Sequence, residues 1–341
     1  MNSARIEMAN EPENISGQQI QSVPIAFAAD ELSACGKCGR DNAPNRMACI
    51  YCGAELTIRE EFLSQAKVAA NDLEADALGW NIVARAADVA NADSDKELES
   101  LSFLVEDIRS IGISNTLIPI ARFATKQAAE LAQKRLATFP IALVSDEILD
   151  VSKAPVRVSR IEFDGADLAF TDFNRGTIER CPAAAVTAIV LGTLHTFTTT
   201  TLEKRGIRKR STVTDETSDD RVSQLLEIHI QDSPAPFAVH PTGFDFSILA
   251  AERSLLVSEN FERLAAKLGK LAPQARIVTD HNAFRNTLRG PWPETSRSDG
   301  LGRVRTGIGQ RRYGRTATVD NKLQFAKFSR LQALDLDELK R

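Results

Sequence analysis

Between Cys35 and Cys52 the chain reads C-G-K-C-G-R-D-N-A-P-N-R-M-A-C-I-Y-C, two C-x-x-C pairs separated by ten residues. Each C-x-x-C turn brings two sulfurs to one side of a common centre, and a second pair completes a tetrahedron. Zn²⁺ takes four thiolates at about 2.3 Å, and a site closed by four protein ligands is structural rather than catalytic. Cys35, Cys38, Cys49 and Cys52 are therefore the predicted metal ligands, with Zn²⁺ as the ion. Gly36, Gly39 and Gly53 suit the tight turns beside such ligands. A segment of about 25 residues buries too little apolar surface to fold alone, so the metal supplies much of its folding free energy. Two disulfides are the rival chemistry for the same spacing. The plainest role for such a module is that of a staple, and binding of a partner is a separate question.

The stretch resembles two related families. In the short bacterial zinc ribbon, knuckles of the type C-x-x-C-G carry a glycine after the last ligand, and Gly39, Asn42, Gly53 and Leu56 match that habit. The Ran-binding-protein-type zinc finger is patterned C-x2-C-x3-N-x6-C-x2-C, which Cys35, Cys38, Asn42, Cys49 and Cys52 fit in spacing. That family carries a Trp two residues before the first Cys, where Ser33 stands here. Its RNA-binding members stack a Trp just after the Asn, here Ala43, and use a pair of Arg, of which Arg46 alone corresponds. Its ubiquitin-binding members carry Thr-Phe where this chain has Gly39 and Arg40. The resemblance thus carries over the metal ligands and not the binding surfaces, and it covers residues 33–56. Tyr51 and Arg46 are the nearest candidates for contacts to a partner.

A chain of 341 residues has room for two or three domains. Hydrophobic content of 43% and charged content of 26% are those of a globular protein, and the net charge of −4 argues against the whole molecule being a polyanion binder. No run of 18 apolar residues occurs, and the first 30 residues lack the charged start and apolar core of a secretory signal. Five cysteines, four in metal spacing, fit a reducing, cytoplasmic compartment better than a disulfide scaffold. The fifth, Cys181, has no accompanying His or acid pattern and reads as a small hydrophobe.

The expected fold class is α+β and multi-domain. Residues 1–32 are polar and without apolar period, a disordered lead-in, and the Cys₄ ribbon occupies 33–56. A helical segment is expected over 57–112. Phe62, Ala66, Ala69, Leu73, Ala77 and Trp80 recur at helical spacing, with Val83, Ala84 and Ala87 continuing the period. A second stripe, Leu98, Leu101, Val105, Ile108 and Ile111, follows an S-x-x-E capping box at Ser94–Glu97 and closes at Gly112. Such stripes are usually core; a groove for a partner helix is the alternative. Residues 113–152 read as a β-α-β unit: Leu117 to Ile120, a helix capped by Thr125, and Ile141 to Val144. Its order of elements resembles half of a ferredoxin-like sandwich.

Residues 153–280 are strand-rich. Turn signals at Asp164-Gly165 and Asn174-Arg175-Gly176 separate alternating strands, and Val186–Leu191, Leu194–Thr201, Leu226–Gln231 and Phe237–His240 continue the series. Residues 203–220 have almost no apolar content, basic first and acidic later, and read as a mobile loop able to meet an anion. A helix with the stripe Phe261, Leu264, Ala265, Leu268 and Leu271 follows. Short strands closed by one amphipathic helix resemble a pleckstrin-homology-type barrel, which implies binding of a peptide or lipid headgroup rather than catalysis. The tail, 281–341, is basic: 13 Lys and Arg against 6 acids after residue 281. Arg303, Arg305, Arg311, Arg312 and Arg315, interleaved with Gly and Tyr313, have the make-up of a nucleic-acid-tracking arm. The plainer reading is a segment that folds back on the acidic body. Phe325, Phe328, Leu331 and Leu334 fit a final docking helix.

No nucleotide-binding glycine motif, H-E-x-x-H or G-x-S-x-G occurs, and His195, His229, His240 and His281 are scattered. The expectation is a zinc-binding, non-enzymatic adaptor with a protein partner and no membrane span. A nucleic-acid-binding protein using the ribbon and the Arg-rich tail is the alternative. An active site assembled from distant residues would leave no such motif.

Overall fold

The computed structural model describes residues 27–59, 61–62, 70, 73–91, 98–99, 101, 103, 105–111, 114–136, 140–205, 211–307 and 310–336. Contacts divide the chain into two compact units, residues 1–67 and 68–341. Among the described residues the fold is mixed α+β: a four-cysteine cluster in the first unit, and in the second a large curled sheet, a small sheet and a C-terminal helix.

The first unit holds two short antiparallel strands, β1 (Ser33–Ala34) and β2 (Asp41–Asn42), with Ala34 opposite Asp41. Around the knuckles the buried cluster is small, Cys35, Cys49 and Leu56 with Ala54 packed against them, and Ile58 and Phe62 are buried as well. Phe27 and Phe62 meet edge to face at 5.8 Å. Residues 1–26 of the expected lead-in, and residues 63–69 of the expected helical stripe, lie outside the described residues.

The second unit opens with β3 (Trp80–Arg85), where a helix was expected. The residues Asn81-Ile82-Val83-Ala84 are buried on both faces of the strand. A fully buried central strand reads as a continuous apolar run, which a helical period fits equally well; β-branched Ile82 and Val83 tip the balance to extended chain. Next come a short helix, α1 (Ala86–Ala90), and α2 (Val105–Ile111). Leu98, Leu101 and Ile108 of the second stripe are buried, while the expected capping box at 94–97 and Gly112 lie outside the described residues. The β-α-β order then appears as β4 (Leu117–Phe123), α3 (Lys126–Arg135) and β5 (Ile141–Ser145). The Thr125 side chain accepts from the Ala128 N–H as an N-cap. Strands β4 and β5 flank β3, each antiparallel to it, in a three-stranded sheet. A one-turn helix, α4 (Asp146–Leu149), follows.

The large sheet has nine strands. Eight run in one path and the ninth pairs beside the middle of it. A meander, β6 (Val156–Asp164), β7 (Asp167–Asp172) and β8 (Ile178–Pro182), turns at Gly165 and Gly176. Two 20-residue strands follow, β9 (Val186–Arg205) and β10 (Ser211–Ile230), paired antiparallel along their length. The short β11 (Phe237–Val239) joins β10 to β6, parallel to the latter. Helix α5 (Val257–Leu271) lays Phe261, Leu264, Ala265 and Leu268 into a core with Ile189, Leu226, Ile228, Phe237 and Phe246. Burying one such Phe stabilises the fold by roughly 1.5–3 kcal/mol.

One expectation changes here. Residues 203–205 and 211–220, expected within a mobile loop, are strand, and residues 206–210 lie outside the described residues. Low apolar content does not preclude a strand whose two faces both meet water. Pairing with β9 satisfies the backbone, and Thr opposite Ser, Thr or Asp suits a pleated surface.

Residues 281–307 and 310–336 fold back as part of the second unit, in keeping with the plainer reading of the basic segment. After β12 (Arg276–Val278) and α6 (His281–Leu288), a hairpin of β13 (Thr295–Gly307) and β14 (Gln310–Asp320) adds to the outer half of β9. Helix α7 (Lys322–Gln332) then buries Phe325, Phe328 and Leu331. Gly192 makes room for this helix, since a Cβ there would stand 2.1 Å from the Phe325 ring. Gln332 exchanges two hydrogen bonds with the Leu117 backbone, at 3.0 and 2.8 Å. Asp146 receives Arg122 at 2.7 Å and Lys327 at 3.3 Å, all three buried. Trp292 donates to Asn81 Oδ1 at 2.9 Å, and Asn81 in turn donates to Asp146. The helix thus ties the small sheet to the large one through polar groups that satisfy one another away from water. No helix among the described residues is long and apolar enough to cross a membrane.

Candidate metal centre

The four cysteines form two copies of one knuckle. In the first, Cys35 N–H donates to Arg40 O at 2.9 Å and Gly39 N–H to Cys35 O at 2.7 Å. In the second, Cys49 N–H donates to Ala54 O at 2.8 Å and Gly53 N–H to Cys49 O at 2.9 Å. Gly39 and Gly53 have φ of 71° and 70°, the left-handed region in which a side chain is strained, so each C-x-x-C-G turn closes on its glycine.

The two knuckles face each other. Cys35 Sγ lies 3.6 Å from Cys52 Sγ, Cys38 Sγ lies 3.6 Å from Cys49 Sγ, and all four sulfurs fall within 4.8 Å of one another. A tetrahedron with arms of about 2.3 Å has edges of about 3.8 Å, so the spacing fits a four-thiolate metal site. Cys35 and Cys49 are buried, and Cys38 and Cys52 lie at the surface. The cluster is consistent with a zinc-binding site, and it is the one grouping of three or more His, Cys, Asp or Glu able to hold a metal among the described residues.

The thiols also act on one another. Burial acts to raise the Cys49 thiol, but the Tyr51 and Cys52 N–H groups and the Asn42 side chain outweigh it and bring it down to about 6. The Arg40 N–H acts to lower the Cys38 thiol, yet burial and the three neighbouring sulfurs push it up to about 12. At this spacing each ionised sulfur disfavours ionisation of the next.

Asn42, fully buried, holds the knuckles together. Its Nδ2 donates to Arg40 O at 2.9 Å in the first knuckle and to Cys49 Sγ at 3.5 Å in the second, while its Oδ1 accepts from Ile50 N–H at 3.0 Å. Beside the sulfurs, Ile50 and Tyr51 are 56% and 52% exposed, with the Arg40 guanidinium 4.8 Å from the Tyr51 ring centre. Of the two sequence candidates for contact, Tyr51 lies in this patch and Arg46 is exposed on the loop between the knuckles. Ile50 and Arg40 join Tyr51 in this patch, a placement that follows from the equivalence of the two C-x-x-C-G repeats.

The other candidates do not converge. Cys181 is half-buried, and burial together with Glu179 and Asp167 pushes its thiol up to about 11, so it stays protonated at neutral pH. His229 and His281 are buried, and desolvation holds each near 3, hence neutral. His229 Nε2 lies 2.8 Å from Ser329 Oγ, while His281 packs against Phe325 and Phe328. Glu227 sits beside His229, also buried. Burial pushes its carboxyl up to about 7 against the Ser329 hydroxyl and the Arg330 charge, and its Oε2 meets no hydrogen-bond donor. Comparison of the chain with protein-family models, with curated proteins and with solved structures finds no match.

Proposed function

We propose that the chain is a zinc-stabilised recognition protein, without catalysis of its own, that works in a reducing compartment such as the cytoplasm. The observation that carries this reading is the convergence of four thiol sulfurs beneath an exposed Ile50–Tyr51–Arg40 patch. Four soft ligands select zinc and leave no coordination position open for a substrate. The metal would serve to hold the patch, whose aliphatic, aromatic and guanidinium groups suit the centre of a contact with a protein partner. The strands over 156–239 followed by helix α5 support the pleckstrin-type reading of the second unit, with a peptide or headgroup as its ligand class.

A second reading, nucleic-acid binding, draws on the Arg303 guanidinium set 5.6 Å from the Tyr313 ring centre on a strand pair that also carries Arg312 and Arg315. Elemental analysis of protein purified under reducing conditions, beside salt-titrated binding to random single-stranded oligonucleotides, tests both. One zinc per chain and no oligonucleotide binding is the expected result. Zinc with binding that falls steeply with salt would favour the second reading, because phosphate contacts release counterions. Protein without zinc would overturn the proposal.

A further inference from the structure

The outer halves of β9, β10, β13 and β14 form a single-layer ribbon in the order β13-β14-β9-β10. Every residue from Asp215 to Ser223 of β10 is exposed, as is every residue from Ser296 to Arg303 of β13. Among the described residues neither outer strand has a second neighbour there. Strand β10 pairs with β11 only at Leu226–Ile228, leaving 211–225 with one partner, and β13 pairs with β14 alone. Two open edges of 15 and 13 residues are long against the usual five or six for a strand, and neither contains proline. Proteins commonly blunt such edges by shortening them, covering them or giving them like charge.

Here the charges are opposite. The β10 edge carries Asp215, Glu216, Asp219 and Asp220 against one Arg, Arg221; the β13 edge carries Arg297, Arg303 and Arg305 against one acid, Asp299. Asp219 is occupied by Arg221 at 2.7 Å, but Asp215, Glu216 and Asp220 make no ion pair among the described residues. Like charge on both edges would keep copies apart, whereas opposite charge makes each edge the complement of the other.

We propose that the ribbon is a self-association surface, in which the acidic β10 edge of one copy pairs with the basic β13 edge of the next and continues the sheet from copy to copy. The two patches differ, so the contact is heterologous and adds copies head to tail, as a ring or an open chain. Backbone hydrogen bonds would supply affinity and the edge charges orientation.

Sedimentation velocity of the full chain over a range of concentration, at low and high salt, tests this. The expected result is association that grows with concentration and weakens with salt. Glu216→Lys/Asp219→Lys/Asp220→Lys and Arg297→Glu/Arg303→Glu should each weaken it by more than about tenfold. All five side chains lie at exposed edges, and unchanged circular dichroism would show the fold intact. An equal mixture of the two variants restores opposite charge at every junction and should associate again. Hydrogen exchange should slow in 211–225 and 295–307 as wild-type concentration rises. Wild type that stays monomeric throughout, association that either variant leaves unchanged, or a mixture that fails to reassemble would each overturn the proposal.

Discussion

The two units solve the problem of a stable interior by opposite means. In the first, the buried apolar side chains among the described residues are few, Cys35, Cys49 and Leu56 in one cluster with Ile58 and Phe62 besides, too little surface to offset the entropy of ordering the chain. Four side chains aimed at one point stand in for a core. In the second, twenty buried residues around α5 form one contiguous cluster, and a further polar network holds α7 to both sheets. A fold concentrated in four ligands is lost with any one of them, whereas a fold spread over many contacts loses a part at a time.

Cys49→Ser should separate the two units most strongly. A hard hydroxyl in place of a buried thiolate should abolish tight zinc binding and unfold residues 33–56, with loss of the cooperative, chelator-sensitive transition of that unit. The unfolding midpoint of the second unit should not move. Shared loss, seen as a shift of both transitions in calorimetry, would mean that the units do not fold independently.

The first unit was legible because metal chemistry is written in spacing. Two C-x-x-C-G repeats state the ligands, the turns and the glycine conformation at once, and Asn42 was visible through its place in the resembled pattern. The second unit was legible only where period and caps agreed, as at Thr125–Arg135 and at the Phe261–Leu268 stripe. Trp80–Arg85 was misread because a strand buried on both faces has no alternation. Residues 203–205 and 211–220 were misread because an exposed ribbon is held by backbone pairing rather than by apolar burial, and the folding back of the basic segment was legible while its seat, a hairpin on β9, was not, since β9 is distant from it in sequence. The Glu227, His229 and Ser329 cluster was illegible for the same reason: 100 residues separate His229 from Ser329, and folding alone makes them neighbours.

That buried carboxyl offers the next test, on the second unit alone. Its acid is raised from an ordinary 4.5 to about 7, so the folded state holds the proton more tightly than the unfolded chain. The stabilising effect is complete below about 4.5 and is lost as pH climbs toward about 7, an effect on the order of 3 kcal/mol. Glu227→Gln removes the ionisation. Urea unfolding should show the wild type losing stability relative to the variant between pH 5 and pH 8, with the zinc content of both unchanged. Parallel pH dependence of the two proteins would show that Glu227 is not the group responsible.

The smallest effect separates the metal from its support. Asn42→Ala keeps all four ligands but removes both donors to Arg40 O and Cys49 Sγ and the acceptor for Ile50 N–H. Groups that orient metal ligands are commonly worth 10–100-fold in affinity. Zinc competition with a chromophoric chelator should therefore show a loss of about that size, with full occupancy recovered at higher zinc and the second unit untouched. Asn42→Asp refines the result: it keeps an oxygen for Ile50 N–H but sets a negative charge beside Cys49 in place of an N–H donor. If the N–H···S bond matters, Asp should bind zinc no better than Ala despite its closer shape. If Asp instead restores wild-type affinity, the link to Ile50 holds the knuckles in register, and the sulfur needs no donor beyond the backbone of its own turn.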